Sequence, residues 1–176
     1  PMILIDTAHG RKIRANHIDT RLVGLQDIMP TLLDLAGIAI PSTVEGLSMA
    51  KTQTRSFLYG ECREDSGATR MLHDGRHKLI WYPGGNVFQL FDLELDPLER
   101  VDLADHPDYQ TTLLKLQDLL VQNLHGIDLT WVKDGKLIGF VPSTSEFKAD
   151  RAMSGQRGLH FPSPPLDPAG KQVGSP

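Results

Sequence analysis

The chain has 176 residues, of which 40% are hydrophobic and 23% charged, and its formal net charge is -4 at pH 7. This length and composition are those of one ordinary globular domain with enough apolar residues for a core. The slight acidic excess excludes a basic face for nucleic acid. No run approaches the roughly twenty apolar residues that span a bilayer. We therefore expect neither nucleic acid nor a membrane as a partner.

The start of the chain is a strand-like apolar run over residues 2–5. A continuous apolar run is typical of a strand covered on both faces, as in a parallel sheet between helices. No charged leader precedes it. We expect residue 1 to be an internal position of a longer polypeptide.

A helix is predicted after the polar loop of residues 6–16. Asp27 is suited to the N-cap, Pro30 falls in the first turn, where a missing N–H costs nothing, and Gly37 fits the C′ position. Apolar residues at helical spacing give this helix one hydrophobic face: Ile28, Leu32, Leu35 and Ala36, with Met29 and Leu33 beside them.

Four short strands are predicted at residues 56–61, 70–73, 77–82 and 87–93. Asp74-Gly75 indicates a hairpin turn, because glycine tolerates the positive φ of primed turns, and residues 83–86 form a second turn cluster. Asp96-Pro97 ends the sheet, since proline removes a ladder donor. The pattern predicts a four-stranded antiparallel sheet.

A long helix follows, from Pro107 and Asp108 to about residue 124, with Leu113, Leu116, Leu120 and Leu124 on one face. We expect it to cover one face of the sheet. Residues 129–132 and 136–140 flank Lys133-Asp134-Gly135, which predicts a second hairpin. Residues 142–176 are rich in Pro, Ser and Gly and predict an extended or mobile tail.

The densest local pattern runs from Thr69 to Glu99, where Asp-Gly-Arg-x-Lys-Leu-Ile-Trp is followed by Gln-Leu-Phe-Asp-Leu-Glu-x-Asp-Pro-x-Glu. It resembles the C-terminal subdomain of the sulfatases, in the alkaline phosphatase superfamily. The resemblance extends upstream through residues 23–38 and downstream through residues 131–139.

The resemblance implies an α/β protein that is α+β in the part present here. The expected fold is a four-stranded antiparallel sheet packed by a long C-terminal helix, preceded by the last strand and helix of the large sulfatase domain. The implied segments are residues 1–50 as the end of that large domain, 51–141 as the C-terminal subdomain, and 142–176 as the tail.

Sulfatases hydrolyse sulfate esters with a formylglycine made from a Cys or Ser in a C/S-x-P/A-S/x-R motif, beside a divalent metal. Cys62 is followed by Arg-Glu-Asp-Ser and does not fit this motif, and no serine fits it. The turn that holds Asp6 and His9 is only faintly similar to the family's metal-binding turn and lies on the wrong side of the first strand, so we interpret it as a polar loop. The seven histidines have no metal-site spacing, and the lone cysteine excludes an intramolecular disulfide without deciding the compartment. We predict no catalytic, cofactor-binding or metal-binding residue in this chain.

Two groups of polar residues allow a ligand-binding interpretation that we do not prefer. His73 and His77 could pair around the Asp74-Gly75 turn, but polar side chains that flank turns are mostly solvated. Asp92, Asp96 and Glu99 are only loosely similar to a calcium loop, and turn and cap roles suit them better.

Two further groups could line an active-site cleft. Glu61, Arg63, Glu64 and Arg70 could face it as an ion-pair set, but ordinary surface salt bridges are the preferred interpretation. Four aromatic residues could stack on a sugar, but a core beneath the long helix is preferred: Trp81, Tyr82, Phe88 and Phe91.

The sequence thus predicts the C-terminal part of a sulfatase whose complete enzyme hydrolyses sulfate monoesters with formylglycine and calcium or magnesium. The chain by itself is predicted to be structural and inactive. Its expected partner is the missing N-terminal catalytic domain, and its uncovered apolar residues predict self-association. Two alternatives stay open: a phosphonate or phosphate monoester hydrolase of the same superfamily, and a stand-alone binding or oligomerisation module.

Overall fold

The structure, a computed structural model, describes residues 3–5, 13, 16–64 and 67–141. These ranges contain two α-helices, α1 (Ile28–Leu35) and α2 (Gln110–Asn123). They also contain six strands: β1 (Leu58–Cys62), β2 (Thr69–His73), β3 (His77–Tyr82), β4 (Val87–Asp92), β5 (Val132–Lys133) and β6 (Lys136–Leu137). Three 3-10 turns lie at Leu25–Asp27, Pro107–Tyr109 and Gly126–Trp131. Neither helix in the described ranges has the length and apolar character that a bilayer-spanning helix requires.

Strands β1 to β4 form one antiparallel sheet in sequential order, as predicted. Tyr59 lies opposite Leu72, Leu72 opposite Leu79, and Leu79 opposite Leu90. Directly opposed residues point to the same face of a sheet. The three leucines are completely buried, so this row lies on the core side.

The turn between β2 and β3 lies at the predicted Asp74-Gly75 pair, because β2 ends at His73 and β3 begins at His77. The backbone N–H of Asp74 donates to the carbonyl oxygen of His77 over 3.1 Å, so these two residues close the ladder and Gly75-Arg76 forms the tip. Gly75 has a φ of +100°, as the first central position of a type II′ turn requires. The Asp74 carboxylate accepts hydrogen bonds from the backbone of Arg76 and His77, which favours aspartate just before the tip.

The turn between β3 and β4 is held by the segment that follows β6. The N–H of Phe140 donates to the carbonyl of Pro83 over 2.9 Å, and the side-chain amide of Asn86 donates to the carbonyl of Leu137 over 3.2 Å. Gly139 has a φ of +60°, and a Cβ atom there would lie 2.2 Å from the Pro83 carbonyl oxygen. Glycine is therefore required for this close approach.

Helix α2 covers the sheet with the predicted apolar stripe. Leu116 and Leu120 are completely buried, and Leu113 and Leu124 are nearly so. Burying one leucine stabilises a fold by about 1.5–3 kcal/mol, so this stripe dominates the attachment of the helix. The remaining members of the core are Ala68, Leu72, Leu79, Trp81, Leu90, Ala104 and Trp131.

Helix α1 presents its polar side to the chain and its apolar side outward. Its buried residues are Pro30 and Thr31, whereas Leu32 is 56% exposed. The Thr31 hydroxyl accepts from the N–H of Met49 over 2.9 Å. Within the described residues, the apolar face predicted for this helix is therefore not covered.

Asp27 precedes α1 as predicted, but its carboxylate does not cap the helix. The side chain is 1% exposed, accepts from the N–H groups of Gly24 and Leu47 over 2.8 Å each, and pairs with Arg55. The competing backbone and guanidinium donors occupy the oxygens that a capping bond needs. Asp27 thus ties together three segments that are distant in sequence.

One predicted strand is not formed in the described residues, and the second predicted hairpin is shorter than expected. Residues 3–5 are not in a strand, and Ile3 is 84% exposed, because a strand with two covered faces needs neighbours that the described ranges do not provide. Residues 129–131 close the 3-10 turn Gly126–Trp131, so the second hairpin shrinks to β5 and β6. Met2 and the predicted tail at residues 142–176 lie outside the described residues, and the domain bounds stay a prediction.

Candidate functional site

A metal ion is one means of the strong charge stabilisation that sulfuryl transfer requires. Within residues 3–5, 13, 16–64 and 67–141, no three His, Cys, Asp or Glu residues are grouped so that they could hold a metal ion. The loop with Asp6 and His9 lies outside the described residues. Cys62 ends β1 and is exposed.

The most densely bonded carboxylate of the sheet is Asp92, which is 1% exposed at the end of β4. Arg76 donates to it from Nε and Nη2, the latter over 2.7 Å, and the Tyr109 hydroxyl donates over 3.2 Å. The N–H groups of Glu94 and Leu95 complete the set. These donors, with Arg76 the largest contributor, lower the pKa of Asp92 to about 2 against the opposing effect of burial.

His77 lies between two carboxylates and is half-buried rather than solvated. Its Nδ1 is 3.5 Å from Asp74 and its Nε2 is 3.8 Å from Asp92. The two histidines do not form a ring pair, since the Nδ1 atom of His73 lies 3.0 Å from the backbone carbonyl oxygen of His77. Arg76 and Lys115 balance the two carboxylates. The group fastens the β2–β3 turn to β4 and α2.

Asp96 takes the predicted turn role, whereas Glu99, for which a turn or cap role was also predicted, forms an ion pair. The Asp96 carboxylate accepts from the N–H groups of Arg100 and Val101 over 2.6 and 2.9 Å, which lowers its pKa. Glu99 pairs with Lys78 over 2.7 Å.

The prediction that Arg70 belongs to a surface ion-pair group is wrong, because the residue is buried. It is 2% exposed and forms a bidentate pair with Asp128, also 2% exposed, with N···O distances of 2.5 and 2.6 Å. Its Nη1 donates to the backbone carbonyls of Arg63 and Thr69, and its guanidinium carbon lies 5.5 Å from the ring centroid of Trp131. Burial opposes the charged form of Arg70, but the Asp128 carboxylate outweighs it and raises the arginine pKa.

Nothing in the sequence pattern singled out Asp128, because the residue is 58 positions from Arg70. Glu61 stays at the surface, 4.0 Å from Arg70 and 3.7 Å from His125. The Tyr59 hydroxyl donates to Glu61, and burial together with this carboxylate raises the tyrosine pKa. The buried pair is therefore flanked by a half-exposed polar group on the edge strand β1.

The aromatic residues belong to the core rather than to an open platform. Trp81 is completely buried, stacks on Phe88 with centroids 6.3 Å apart, and meets Trp131 edge-on at 6.2 Å. Phe91 is 6% exposed, and the Tyr82 hydroxyl donates to Gln89. A buried indole cannot stack on a sugar, so the core interpretation holds for Trp81 and Phe91.

An apolar surface at helix α1 is uncovered among the described residues. It consists of Leu25, Ile28, Met29 and Leu32, which are 81%, 38%, 47% and 56% exposed. We call it the α1 face. Patches of this kind mark interaction surfaces.

Comparison with known proteins gives the family. Residues 2–125 match the family model described as N-sulphoglucosamine sulphohydrolase, C-terminal. The chain belongs to this sulfatase family. The match confirms the resemblance and the fold class that it implied.

An arylsulfatase of Clostridium perfringens is 30% identical over 151 residues, which cover 82% of this chain and 31% of the relative. A Delta 4,5-hexuronate-2-O-sulfatase of Bacteroides thetaiotaomicron is 37% identical over 105 residues, covering 53% of this chain and 22% of the relative. A solved 2-O GAG sulfatase superposes with a TM-score of 0.51 at 33% identity, covering 55% of this chain and 23% of that one. The chain thus spans about a third or less of the length of these sulfatases.

Among the described residues of this sulfatase C-terminal domain, no group of His, Cys, Asp or Glu could hold a metal ion. Sulfatases generally use a formylglycine and a divalent metal in their catalytic domain. The bonded side chains of this domain hold backbone segments, turns and helix α2 together.

Proposed function

We propose that this chain is the structural C-terminal part of an enzyme that hydrolyses sulfate monoesters. The observation that carries the proposal is the match of residues 2–125 to a sulfatase C-terminal family. The relatives share this region over about a fifth to a third of their own length, which leaves most of such an enzyme outside it.

The catalytic domain of the complete enzyme would carry the formylglycine with calcium or magnesium, which together supply the nucleophile and stabilise charge on the sulfuryl oxygens. This chain contributes no residue to that step. The sheet, α2 and the buried Arg70–Asp128 pair pack together around one core. We assign to this packed unit the role of supporting and shaping one wall of the substrate cleft.

The α1 face is the surface that we assign to the catalytic domain. The polar side of α1 is already occupied, because Thr31 binds Met49 and Asp34 accepts from the Ser48 hydroxyl over 2.6 Å. The helix therefore cannot turn its leucines inward without breaking these bonds. An apolar surface of a partner can cover the α1 face without any rotation of the helix.

Without that partner, the same face drives self-association of the isolated chain. Exposed apolar surface costs about 25 cal/mol for each Å² left in water. A second copy of the chain can cover it in the absence of the catalytic domain.

The activity proposal is tested with an aryl sulfate substrate. The isolated chain is assayed with calcium and then with magnesium, beside an intact arylsulfatase as the positive control. No turnover above buffer is expected from the isolated chain, whereas a longer polypeptide in which it follows its catalytic domain should hydrolyse the ester. Turnover by the isolated chain that matches the control would overturn the structural role.

The substrate assignment has its own test. The longer polypeptide is offered an aryl sulfate and an aryl phosphonate monoester in parallel. Faster cleavage of the sulfate is expected. Cleavage of the phosphonate alone would replace sulfate ester hydrolysis with the alternative activity.

A further inference from the structure

The sequence contains two Asp-Gly pairs, Asp74-Gly75 and Asp134-Gly135, in two different hairpin turns. Among aspartyl pairs, Asp-Gly is the one most prone to backbone rearrangement, because glycine has no side chain to shield its own amide nitrogen. The two turns place this pair in opposite environments.

Asp134-Gly135 forms the exposed tip between β5 and β6. Both residues are in the left-handed region, with φ of +51° and +72°, and a Cβ atom on Gly135 would meet nothing within 4 Å. The neighbouring Lys133 and Lys136 lie directly opposite each other, and like charges in that position destabilise a strand pair. β5 and β6 have two residues each, and the N–H groups of Ile138 and Gly139, which donate to the Trp131 carbonyl over 2.8 and 3.2 Å, continue the hairpin away from its tip.

Within the described residues, no hydrogen bond or ion pair engages the Asp134 carboxylate or the Gly135 N–H. The electrophile and the nucleophile of the rearrangement are therefore both accessible. Because the tip has no such bond, a local opening confined to the tip lets the two groups meet.

Both residues of Asp74-Gly75 are held by hydrogen bonds. The Asp74 carboxylate accepts from the N–H groups of Arg76 and His77 over 3.1 and 2.7 Å, and the Gly75 N–H lies 3.3 Å from the Nδ1 atom of His73. Burial opposes ionisation, but the backbone donors outweigh it and lower the pKa of Asp74. The carboxylate that results is a poor electrophile compared with the protonated acid.

We propose that Asp134-Gly135 is a site of spontaneous isoaspartate formation, and that Asp74-Gly75 is protected from the same reaction by its turn. The nitrogen of Gly135 attacks Cγ of the protonated Asp134 side chain, and the amide proton leaves with the hydroxyl as water to give a five-membered succinimide. Water then adds to the former backbone carbonyl carbon of Asp134, and the bond from that carbon to nitrogen breaks. The chain now runs through Cγ, and the former backbone carbonyl is a free carboxylate.

The product has one extra methylene in the main chain at the tip of the hairpin. β5 and β6 lose their register, and with them the approach of Gly139 to the Pro83 carbonyl is weakened. Ageing at one exposed position thereby loosens the segment that holds the β3–β4 turn. The modified residue is also the substrate class of methyltransferases that act on isoaspartyl carboxylates.

The test ages the full chain at physiological temperature and neutral pH, in buffer and in urea. Isoaspartate is located by peptide mapping and quantified by methyl transfer from S-adenosylmethionine. In buffer, isoaspartate should accumulate at position 134 at least about ten-fold faster than at position 74, since opening the protected turn sacrifices at least two hydrogen bonds. In urea the two rates should converge.

An Asp134→Ser chain serves as the control and should lose the main methyl-accepting site. Equal accumulation at positions 74 and 134 in buffer would overturn the protection. A rate at position 134 that is about ten-fold lower in buffer than in urea would show that the folded turn blocks the reaction, and would overturn the site itself.

Discussion

The buried pair between Arg70 and Asp128 makes the sharpest stability prediction. The perturbation is Arg70→Met, which retains much of the side-chain volume but removes the guanidinium. It leaves the Asp128 carboxylate, 2% exposed, without its two charged donors. It also strips a donor from the carbonyls of Arg63 and Thr69.

The magnitude follows from the burial of both partners. Removing one member of a buried pair costs about 3–5 kcal/mol, because an uncompensated charge remains. Replacing both members by apolar residues removes that penalty, so the double variant Arg70→Met with Asp128→Leu should lie within about 2 kcal/mol of the parent. Since removing either member alone should cost at least about 3 kcal/mol, the expected coupling energy between the two positions is at least about 4 kcal/mol.

These differences in unfolding free energy are measured by urea unfolding, with tryptophan fluorescence as the signal. Equal m-values for all variants would show that each unfolds in the same transition. Lys78→Met is the matched control. Its pair with Glu99 is 24% and 33% exposed, and such pairs contribute about 1 kcal/mol or less. If Arg70→Met costs no more than this control, or if the single costs simply add in the double variant, the burial argument is wrong.

Three further outcomes are expected. Gly139→Ala should lower the free energy of unfolding in urea by about 3 kcal/mol or more, because the added Cβ would lie 2.2 Å from a carbonyl oxygen. The control Gly135→Ala, which is strained only by its φ of +72°, should lower it by about 1–2 kcal/mol, and equal losses would contradict the clash. The pKa of Asp92 is about 2 against an ordinary 3.8, so the ionised carboxylate stabilises the fold by about 1–2 kcal/mol above pH 3.8, and this contribution declines as pH falls towards 2. The free energy of unfolding of Asp92→Asn should therefore vary less over this pH range, and a profile like that of the parent would contradict the assignment. Leu32→Glu should shift the isolated chain towards monomer in analytical ultracentrifugation, while Leu114→Glu, at a similarly exposed site on α2, should not; the same response from both would exclude the α1 face as the interface.

Much of the fold could be predicted from local pattern. Leucines at helical spacing predicted the buried stripe of α2, and the strand-like runs predicted the sheet in its sequential order. Both signals depend only on the periods of helix and strand. The Asp74-Gly75 pair also predicted the turn between β2 and β3, whereas only the structure shows that Gly75-Arg76 forms its tip.

The candidate site was less predictable, for a reason that Asp128 illustrates. No local rule connects it with Arg70 across 58 residues, and a lone aspartate in a polar stretch resembles a solvated one. Asp27 is a second example. Its position before α1 was predicted correctly, but its carboxylate oxygens bind Leu47 and Arg55, which lie later in the chain, instead of capping the helix.

By itself, the sequence determined the sulfatase family, the antiparallel sheet and the helix that covers it, because residue order and periodicity act over short distances. Only the tertiary structure decided that Arg70 is buried and that α1 turns its polar side inward. It also decided that the Asp74-Gly75 turn is held by side-chain hydrogen bonds while the Asp134-Gly135 tip is exposed. Those outcomes depend on which donors and acceptors meet when distant segments fold together. Charge and hydrogen bonding are satisfied in space rather than along the chain.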